Sequence, residues 1–452
     1  MGKHLKASEA QRVILDAVIA MGTETVKLEQ SVGRVLAQEI RANRDLPPFD
    51  VSAMDGFALR SADVVNAPAQ LTIIEDIKAG DLPTQTVAAG QCARIMTGAP
   101  VPPGADAVIR VEDTQEVSAN RVQINKSVKP KNDVRPLGEN MRDGDVVLTA
   151  GTEITPGVIG VLATVKAAQF AVFRRPRVAI LSTGNELEGM DEPVDPHKIP
   201  NSNSYAVMAQ VQMLGIEPTL LGIARDDPAE LEQYLRRGLE YDVLLVSGGT
   251  SVGVHDYVRP TIEKLGVQMK FWRVAMKPGH PLAFGMLPPT KVSQVDAVQG
   301  ARREPTQAYL EDRQGGEQKA TPQCAACGTL VFGLPGNPVS SMVCVEEFVA
   351  PALRCMMGNT RPYRRTLSAR LANPIKHQPG RTEFVRVQLA RDEAGYSASA
   401  TGTQSSGVLL SMARADGLLI VPAASTGLAA GAQVTVQLLD GTAFQDEIGF
   451  SE

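Results

Sequence analysis

The second half of the chain alternates between buried-strand patterns and helix patterns, and this alternation limits the fold more than any other feature. Apolar runs at 178–181, 217–222 and 242–246 have the length of strands, whereas 202–214 and 228–239 repeat apolar positions at helical spacing. The alternation predicts a doubly wound α/β domain with a parallel sheet. Ligands of such domains bind beyond the carboxyl ends of the strands, so the turns there are the first candidates for a site.

The turn after the strand at 242–246 is rich in glycine. Its candidate ligand-binding residues are Ser247, Gly248, Gly249, Ser251 and Gly253, followed by the carboxylate of Asp256. Glycine lets the backbone curl so that successive N–H groups converge on a phosphate or oxyanion. Asp256 places a carboxylate beside this pocket, where a divalent cation or a transferring phosphoryl group could sit. A tight turn with one solvent-exposed aspartate explains this segment equally well.

Three other segments of the same predicted domain carry candidate residues. They are the strand end and helix start with Thr183, Gly184, Asn185, Glu186 and Asn201, the cationic loop with Arg273, Lys277, Pro278, Gly279 and His280, and the turn with Pro335, Gly336, Asn337 and Pro338. Helix capping and a solvated basic loop would account for each segment separately. Two anion-binding turns and a cationic loop in one domain favour a phosphate-bearing small molecule.

The rest of the chain divides by composition and periodicity. Residues 1–46 and 143–175 are predicted to form a discontinuous helical linking and dimerisation domain, with helices starting at Ser8 and near Leu28. Residues 47–142 form an inserted β-rich domain, 176–362 the α/β domain and 363–452 a C-terminal β domain. Residues 287–328 lack periodicity and are predicted to be a flexible insertion that protrudes, the alternative being a flap over the site.

The inserted β-rich domain contains two polar residues beside glycines. Asp55 precedes Gly56, and Thr97 precedes Gly98. Glycine permits close backbone approach, so both polar residues are candidates for contact with a ligand. Each could equally stabilise a turn.

Composition excludes several classes of protein. The net charge of −5 gives no support for nucleic-acid binding, and no apolar run has the length of a membrane span. Five cysteines, an odd number, fit a reducing compartment, and with no apolar leader at the start we expect a cytoplasmic protein. Cys324 and Cys327 supply only half of a structural zinc site and are interpreted as incidental thiols.

Six motifs in a fixed order give the chain a resemblance to a known family. They are SAMDGFA (52–58), MTGAPVPPGADAV (96–108), STGNEL (182–187), SGGTSVGVHDY (247–257), VAMKPGHP (274–281) and GLPGNPVS (333–340). Together they resemble the molybdopterin molybdenumtransferases, the molybdenum insertases related to the C-terminal part of gephyrin. The α/β domain alone also resembles molybdopterin adenylyltransferases, and the first two motifs separate the two families.

The resemblance implies an elongated homodimer and a reaction. Molybdate is inserted into the dithiolene of adenylylated molybdopterin (molybdopterin-AMP), and AMP is released with the help of Mg²⁺. Asp55, Thr97, Glu186, Asp256 and Lys277 would be catalytic, Asp55 and Thr97 reaching the crevice from the partner subunit. The acids Glu186, Asp226 and Asp256 are suited to the metal, while Ser405 and Ser406 would lie near molybdate. Molybdopterin adenylyltransferase and maturation partners of molybdoenzymes are the implied protein partners.

Two alternatives remain at the level of the sequence. One is an adenylyltransferase-like nucleotide enzyme, and the other is a non-catalytic dimeric scaffold of the gephyrin kind. The acids Asp55, Glu186 and Asp256 are all present, which argues against a degenerate scaffold. The chain departs from the family pattern at Asn140, where relatives often carry an acid, and at His280, which replaces a frequent lysine and makes part of the cationic loop sensitive to pH.

Overall fold

A computed structural model describes residues 4–249, 257–289 and 328–439. The chain forms two compact units: Met1–Thr25, Gly33–Ala37 and Ala171–Glu452 make up the larger one, and Val26–Val32 with Gln38–Phe170 the smaller one. Ser251, Gly253, Asp256, Cys324, Cys327 and most of the insertion expected at 287–328 lie outside the described residues. The predicted domain boundaries at 46, 142, 175 and 362 stay predictions.

The larger unit contains a six-stranded central sheet. Its strands, in spatial order, are Thr219–Ala224, Val178–Thr183, Val243–Ser247, Thr329–Leu334, Ala283–Leu287 and Gln268–Phe271. The first four run parallel, as the sequence predicts, whereas the last two pair antiparallel. The sheet is therefore mixed, and the carboxyl ends of its four parallel strands share one edge.

Helices cover both faces of the central sheet, which confirms the doubly wound prediction. Because side chains alternate across a strand, Leu245 packs with the first face and Leu244 with the second. The helices Ser202–Gln212 and Pro338–Cys344 contribute to the first core, and Pro228–Gly238 and Val258–Lys264 to the second. A π-helical turn, Val345–Val349, and the helix Ala350–Met356 extend the first face, and the short strands Leu187–Glu188 and Ile199–Pro200 pair beside the sheet.

The C-terminal residues form a second sheet, which confirms the predicted β domain. Its seven strands, in spatial order, are Leu5–Lys6, Val274–Lys277, Thr382–Asp392, Gly395–Ala400, Thr366–Leu371, Gln433–Leu438 and Gly417–Val421. The strand Leu5–Lys6 leads into the helix Ala7–Asp16, and the helix Leu409–Ala413 comes directly before the strand Gly417–Val421. The short strands Ile375–Lys376 and Gly427–Leu428 pair with each other. The sequence did not indicate that the cationic loop begins on this sheet.

The smaller unit is built around a separate six-stranded sheet. The strands, in spatial order, are Ala107–Arg110, Gly56–Leu59, Gln91–Ile95, Ala69–Ile77, Arg121–Ile124 and Thr114–Ser118. Gly56 lies between two neighbouring strands, and a Cβ there would come within 1.8 Å of the Ile109 carbonyl oxygen. The glycine of the first motif is therefore required by the packing of the backbone.

Short elements complete the smaller unit. They are the strand pairs Val51–Ser52 with Val134–Arg135 and Ile40–Arg41 with Val146–Leu148, the helix Pro156–Thr164, and the 3₁₀ turns Leu28–Gln30, Ser61–Val64 and Val111–Asp113. The chain passes from one unit to the other within two strands, Thr23–Lys27 and Gln169–Phe173. The helix predicted from Leu28 to Leu36 is wrong, because the chain makes only one 3₁₀ turn there before a β-bridge at Leu36.

Candidate active site

Three turns meet at the carboxyl edge of the parallel strands. They contain residues 183–185, 247–249 and 335–337, and we call this region the crevice. The Gly248 N–H donates to the Leu334 carbonyl oxygen at 3.3 Å. Gly248 has φ of +91°, and a Cβ there would lie 2.5 Å from the Thr183 carbonyl oxygen, so only glycine fits.

The hydroxyl of Thr183 is a buried polar group in the crevice. Its Oγ1 has no hydrogen-bond partner among the described residues, and Cβ atoms built on Gly248 and Gly249 would each approach it to 3.0 Å. The two glycines therefore let the backbone pack closely around this buried hydroxyl. A buried hydroxyl without a partner is unfavourable, so this atom is suited to receive a hydrogen bond from a ligand or donate one to it.

Asn203 connects two turns of the crevice, and it was not among the residues that the sequence singled out as binding. Its Nδ2 donates to Ser247 Oγ at 2.8 Å and to the Gly336 carbonyl oxygen at 2.7 Å. The amide-rich run at 200–204 was the signal that could have found it. By contrast, Asn201 is 6% exposed and its Oδ1 accepts from Ser182 Oγ and from the Ser204 N–H, which is a capping arrangement.

The acids Glu186 and Asp226 follow neighbouring strands. Asp226 Oδ2 accepts from the Asn185 N–H at 3.3 Å, and Asn185 Oδ1 accepts from the Asp226 N–H at 3.1 Å. The Glu186 carboxylate folds over Gly184, where a Cβ would lie 2.3 Å from its Oε2. Both carboxylates are exposed beside the crevice.

No three His, Cys, Asp or Glu side chains among the described ranges converge as a metal site. Mg²⁺, however, commonly takes only one or two protein carboxylates and completes its shell with phosphate oxygens and water. The exposed oxygens of Glu186 and Asp226 fit that donor set. Asp256, the third predicted ligand, lies outside the described residues.

The predicted cationic loop opens onto a different part of the larger unit. A cavity of about 1130 Å³ is lined by Lys277, Lys376, His377, Arg381 and Glu383, among others, and we call it the cationic cavity. Lys277 Nζ contacts Glu383 Oε1 at 2.8 Å. Burial alone would raise the pKa of Glu383, but hydrogen bonds from Lys277 and His377 hold it below its ordinary value, so the carboxylate stays ionised.

The remaining loop residues are held tightly. His280 Nδ1 lies 2.7 Å from the Val274 carbonyl oxygen, and its ring contacts the ring of His4. Burial lowers the pKa of His280, and the charges of Arg381 and Arg273 lower it further. Pro278 and Gly279 are buried, and a Cβ on Gly279 would meet Cys344 Sγ at 2.7 Å. The lowered pKa favours the neutral imidazole form of His280.

The loop with Ser405 and Ser406 connects the C-terminal sheet to the crevice. The Val339 N–H, in the helix after Pro338, donates to the Ser406 carbonyl oxygen at 3.2 Å. Arg386, which is 1% exposed, donates to the Ser405 carbonyl oxygen at 3.2 Å. The sequence missed Arg386, Glu383 and His377, because their roles depend on contacts made across the sheet.

Asp55 and Thr97 lie together in the smaller unit. The Thr97 N–H and Oγ1 both donate to Asp55 Oδ1 at 2.7 Å. The pKa of Asp55 is held below its ordinary value, first by the backbone N–H and then by the hydroxyl of Thr97. Both side chains are exposed. The turn thus presents an ionised carboxylate to solvent.

Comparison with known proteins covers nearly the whole chain. Residues 5–165 match the MoeA N-terminal region (domain I and II), 179–355 a probable molybdopterin binding domain, and 368–439 the MoeA C-terminal region (domain IV). A molybdopterin molybdenumtransferase of Nostoc sp. is 34% identical over 92% of this chain and 88% of its own length. The chain belongs to the molybdopterin molybdenumtransferase family.

Other members of the molybdopterin molybdenumtransferase family agree. The Staphylococcus aureus (strain COL) protein of that name is 31% identical over 98% of both chains. The crystal structure of a molybdopterin biosynthesis moeA protein from Pyrococcus horikoshii OT3 superposes with a TM-score of 0.77 at 28% identity, covering 97% of this chain and all of that one. Membership of this family confirms the predicted resemblance, the multidomain fold and the expectation of a transferase.

Proposed function

We propose that the protein inserts molybdate into adenylylated molybdopterin and releases AMP, forming molybdenum cofactor. The observation that carries the proposal is the crevice: glycine turns, a buried hydroxyl at Thr183 and two exposed acids meet at one sheet edge in a molybdopterin molybdenumtransferase family member. A phosphoanhydride and a molybdate dianion both need neutralisation and oriented donors, and these groups are of the right kind.

The residues of the crevice would divide the work by chemistry. The Thr183 hydroxyl and the glycine turn at 248–249 would orient phosphate oxygens, because the fold fixes the hydroxyl and glycine lets a ligand approach the backbone closely. Glu186 and Asp226 would hold Mg²⁺ together with substrate phosphate oxygens, and the ion would neutralise the charge that develops as AMP leaves. Lys277, on the cationic cavity, neutralises an oxyanion of the substrate.

We further propose a homodimer in which Asp55 and Thr97 of one chain serve the substrate bound to its partner. The support is chemical: Asp55 is an exposed carboxylate kept ionised by the backbone N–H and the hydroxyl of Thr97, and both donors contact the same oxygen, Oδ1. Such a group is suited to bind a metal ion through oxygen.

The direct test supplies purified protein with adenylylated molybdopterin, Mg²⁺ and molybdate, and measures AMP release together with active cofactor. We expect both products, each dependent on molybdate. Absence of both, under conditions where the Nostoc relative is active, would contradict the proposed function.

Subunit mixing tests the shared site. Asp55→Asn and Glu186→Gln should each lower kcat at least about 100-fold, with unchanged thermal unfolding because both side chains are exposed. If the two residues act in the same site from different chains, a mixed dimer has one intact site, and co-refolding the variants restores roughly a quarter of the wild-type rate. No recovery would mean that each chain supplies its own Asp55, or that no dimer forms.

A further inference from the structure

Glu383 makes two hydrogen bonds at the edge of the cationic cavity, and the proposed function assigns it no role. It is paired with Lys277 in the parallel register between Val274–Lys277 and Thr382–Asp392. One carboxylate oxygen contacts Lys277 Nζ at 2.8 Å and the other contacts His377 Nδ1 at 2.8 Å. The Glu383 side chain is 7% exposed, whereas that of Lys277 is 57% exposed.

His377 braces this carboxylate from the buried side. Its side chain is 2% exposed, and its Nε2 has no hydrogen-bond partner among the described residues. Because an ionised carboxylate can only accept a hydrogen bond, Nδ1 of His377 carries a proton and donates to Glu383 Oε2. Glu383 is thus fixed by strand pairing and by an imidazole, and the ammonium of Lys277 is fixed by Glu383.

We propose that Glu383, braced by His377, is a positioning residue that holds the Lys277 ammonium at the cationic cavity so that it meets a substrate oxyanion in one orientation. This proposal rests on the function proposed above, because that reaction supplies the oxyanion. A free lysine side chain loses rotamer entropy when it is fixed. The Glu383 contact fixes it before the substrate arrives.

Simple charge attraction predicts the opposite role for Glu383. A carboxylate beside an oxyanion site lowers the local positive potential and weakens anion binding. Removal of its charge should then tighten binding of molybdate. Removal of a positioning group should instead lower turnover, because the ammonium loses its orientation in the transition state. The two roles are therefore separable by kinetics.

The test compares kcat and the KM for molybdate in Glu383→Gln. We expect kcat to fall about tenfold or more, with the KM for molybdate changed less than about threefold. His377→Leu lacks the donor, so its kcat should fall as in Glu383→Gln. His377→Asn places an amide donor near the position of Nδ1, so its kcat should be close to that of the wild type. Unchanged kcat with a lower KM in Glu383→Gln would overturn the proposal.

A control on the same strand separates positioning from loss of stability. Val387 is fully buried in the C-terminal sheet, so Val387→Ala lowers thermal stability without touching Lys277. It should leave kcat unchanged at a temperature where the protein stays folded. An equal fall of kcat in Val387→Ala would also overturn the proposal.

A second measurement does not depend on turnover. An amine-acylating reagent should modify Lys277 severalfold faster in Glu383→Gln than in the wild type, relative to the exposed Lys270, as quantified by mass spectrometry. If the wild type releases no AMP but Lys277 is still modified faster in Glu383→Gln, the proposed function alone is contradicted. An unchanged rate of Lys277 modification contradicts the positioning role, whatever the protein's activity.

Discussion

The crevice and the cationic cavity lie in the same unit and offer oxyanion-binding groups of different kinds. The crevice uses backbone N–H groups, hydroxyls and amides around Gly248, with Asn203 joining two of its turns. The cationic cavity uses the charged side chains of Lys277 and Arg381, with Glu383 as the counter-charge. One region is fixed by the fold itself, and the other by pairs of long side chains.

This difference sets what each region does well. Backbone dipoles at strand ends cannot reorient, so the crevice selects geometry and loses little affinity in salt. The half-exposed ammonium of Lys277 contributes charge, but holding it in place costs side-chain entropy, and salt screens its charge. We therefore expect variants of the crevice to damage folding and binding together, and variants of the cavity to change turnover and salt dependence while the fold survives.

The largest effect is expected at Gly248. Gly248→Ala requires a side chain at φ of +91° and 2.5 Å from a backbone carbonyl oxygen, which should lower the free energy of unfolding by about 2–3 kcal/mol. Binding of adenylylated molybdopterin should weaken at least about tenfold, as calorimetry would measure. Gly22→Ala is the control, because Gly22 is not part of the crevice and a Cβ there meets no atom within 4 Å. Equal behaviour of the two variants would refute the role assigned to the turn.

Lys277 should give the next largest effect. Lys277→Met removes one charge from an exposed side chain, so the unfolding temperature should stay within about 2 °C of the wild type. Loss of a charge-assisted hydrogen bond should lower kcat/KM for molybdate by about 10- to 100-fold. The fall of kcat/KM with added salt should also become shallower in the variant. Lys270→Met serves as the surface control, and a salt dependence that persists in Lys277→Met would assign the effect to other cations.

The same contrast explains how much of the site the sequence could predict. The turns of the crevice are local, since a strand, a glycine and a helix start follow one another within ten or so residues, and parallel topology brings their ends together. Gly248 and Gly336 could therefore be assigned to one edge before the fold was known. Asn203 was harder, because its neighbour Asn201 is the better cap by sequence pattern and only the structure separates their roles.

The cavity depends on contacts that no local pattern encodes. Lys277 and Glu383 are far apart in the chain and meet because Val274–Lys277 joins the C-terminal sheet. Nothing in the run around His377 distinguishes it from a surface histidine, yet its side chain is buried. The predicted helix near Leu28 is wrong for the same physical reason. The backbone at Leu36 forms a β-bridge with the distant Val172, which local helix propensity does not reveal.

Both Asn203 and Gly248 lie in the crevice, and we expect substitution of Asn203 to have the smaller effect on stability and binding. Asn203→Ala removes two hydrogen bonds that join the Ser247 and Gly336 turns, which should lower the free energy of unfolding by about 1–2 kcal/mol. The KM for adenylylated molybdopterin should rise, whereas the KM for molybdate and its salt dependence stay as in the wild type. A change confined to the molybdate KM would break the division of roles between crevice and cavity.

The smallest effect on activity is expected at Glu347, which lies between the helix that leaves the crevice and the C-terminal sheet. Gln437 Nε2 donates to its Oε1 at 2.7 Å. Burial, followed by the charge of Glu346, raises the pKa of Glu347 to about 8. Because the folded protein then holds a proton that the unfolded chain releases near pH 4.5, this group stabilises the fold fully at acid pH.

That stability should decline as the pH rises from about 5 to 8, by roughly 1–3 kcal/mol. Glu347→Gln keeps the shape and the hydrogen bond but cannot ionise, so urea unfolding should lose this part of its pH dependence while kcat and both KM values stay unchanged. Such a result would show that the contact between Glu347 and the C-terminal sheet is structural and does not affect the functions of the crevice and the cavity. A shift of either KM in Glu347→Gln would instead mean that the crevice and the cavity are coupled through this carboxyl group.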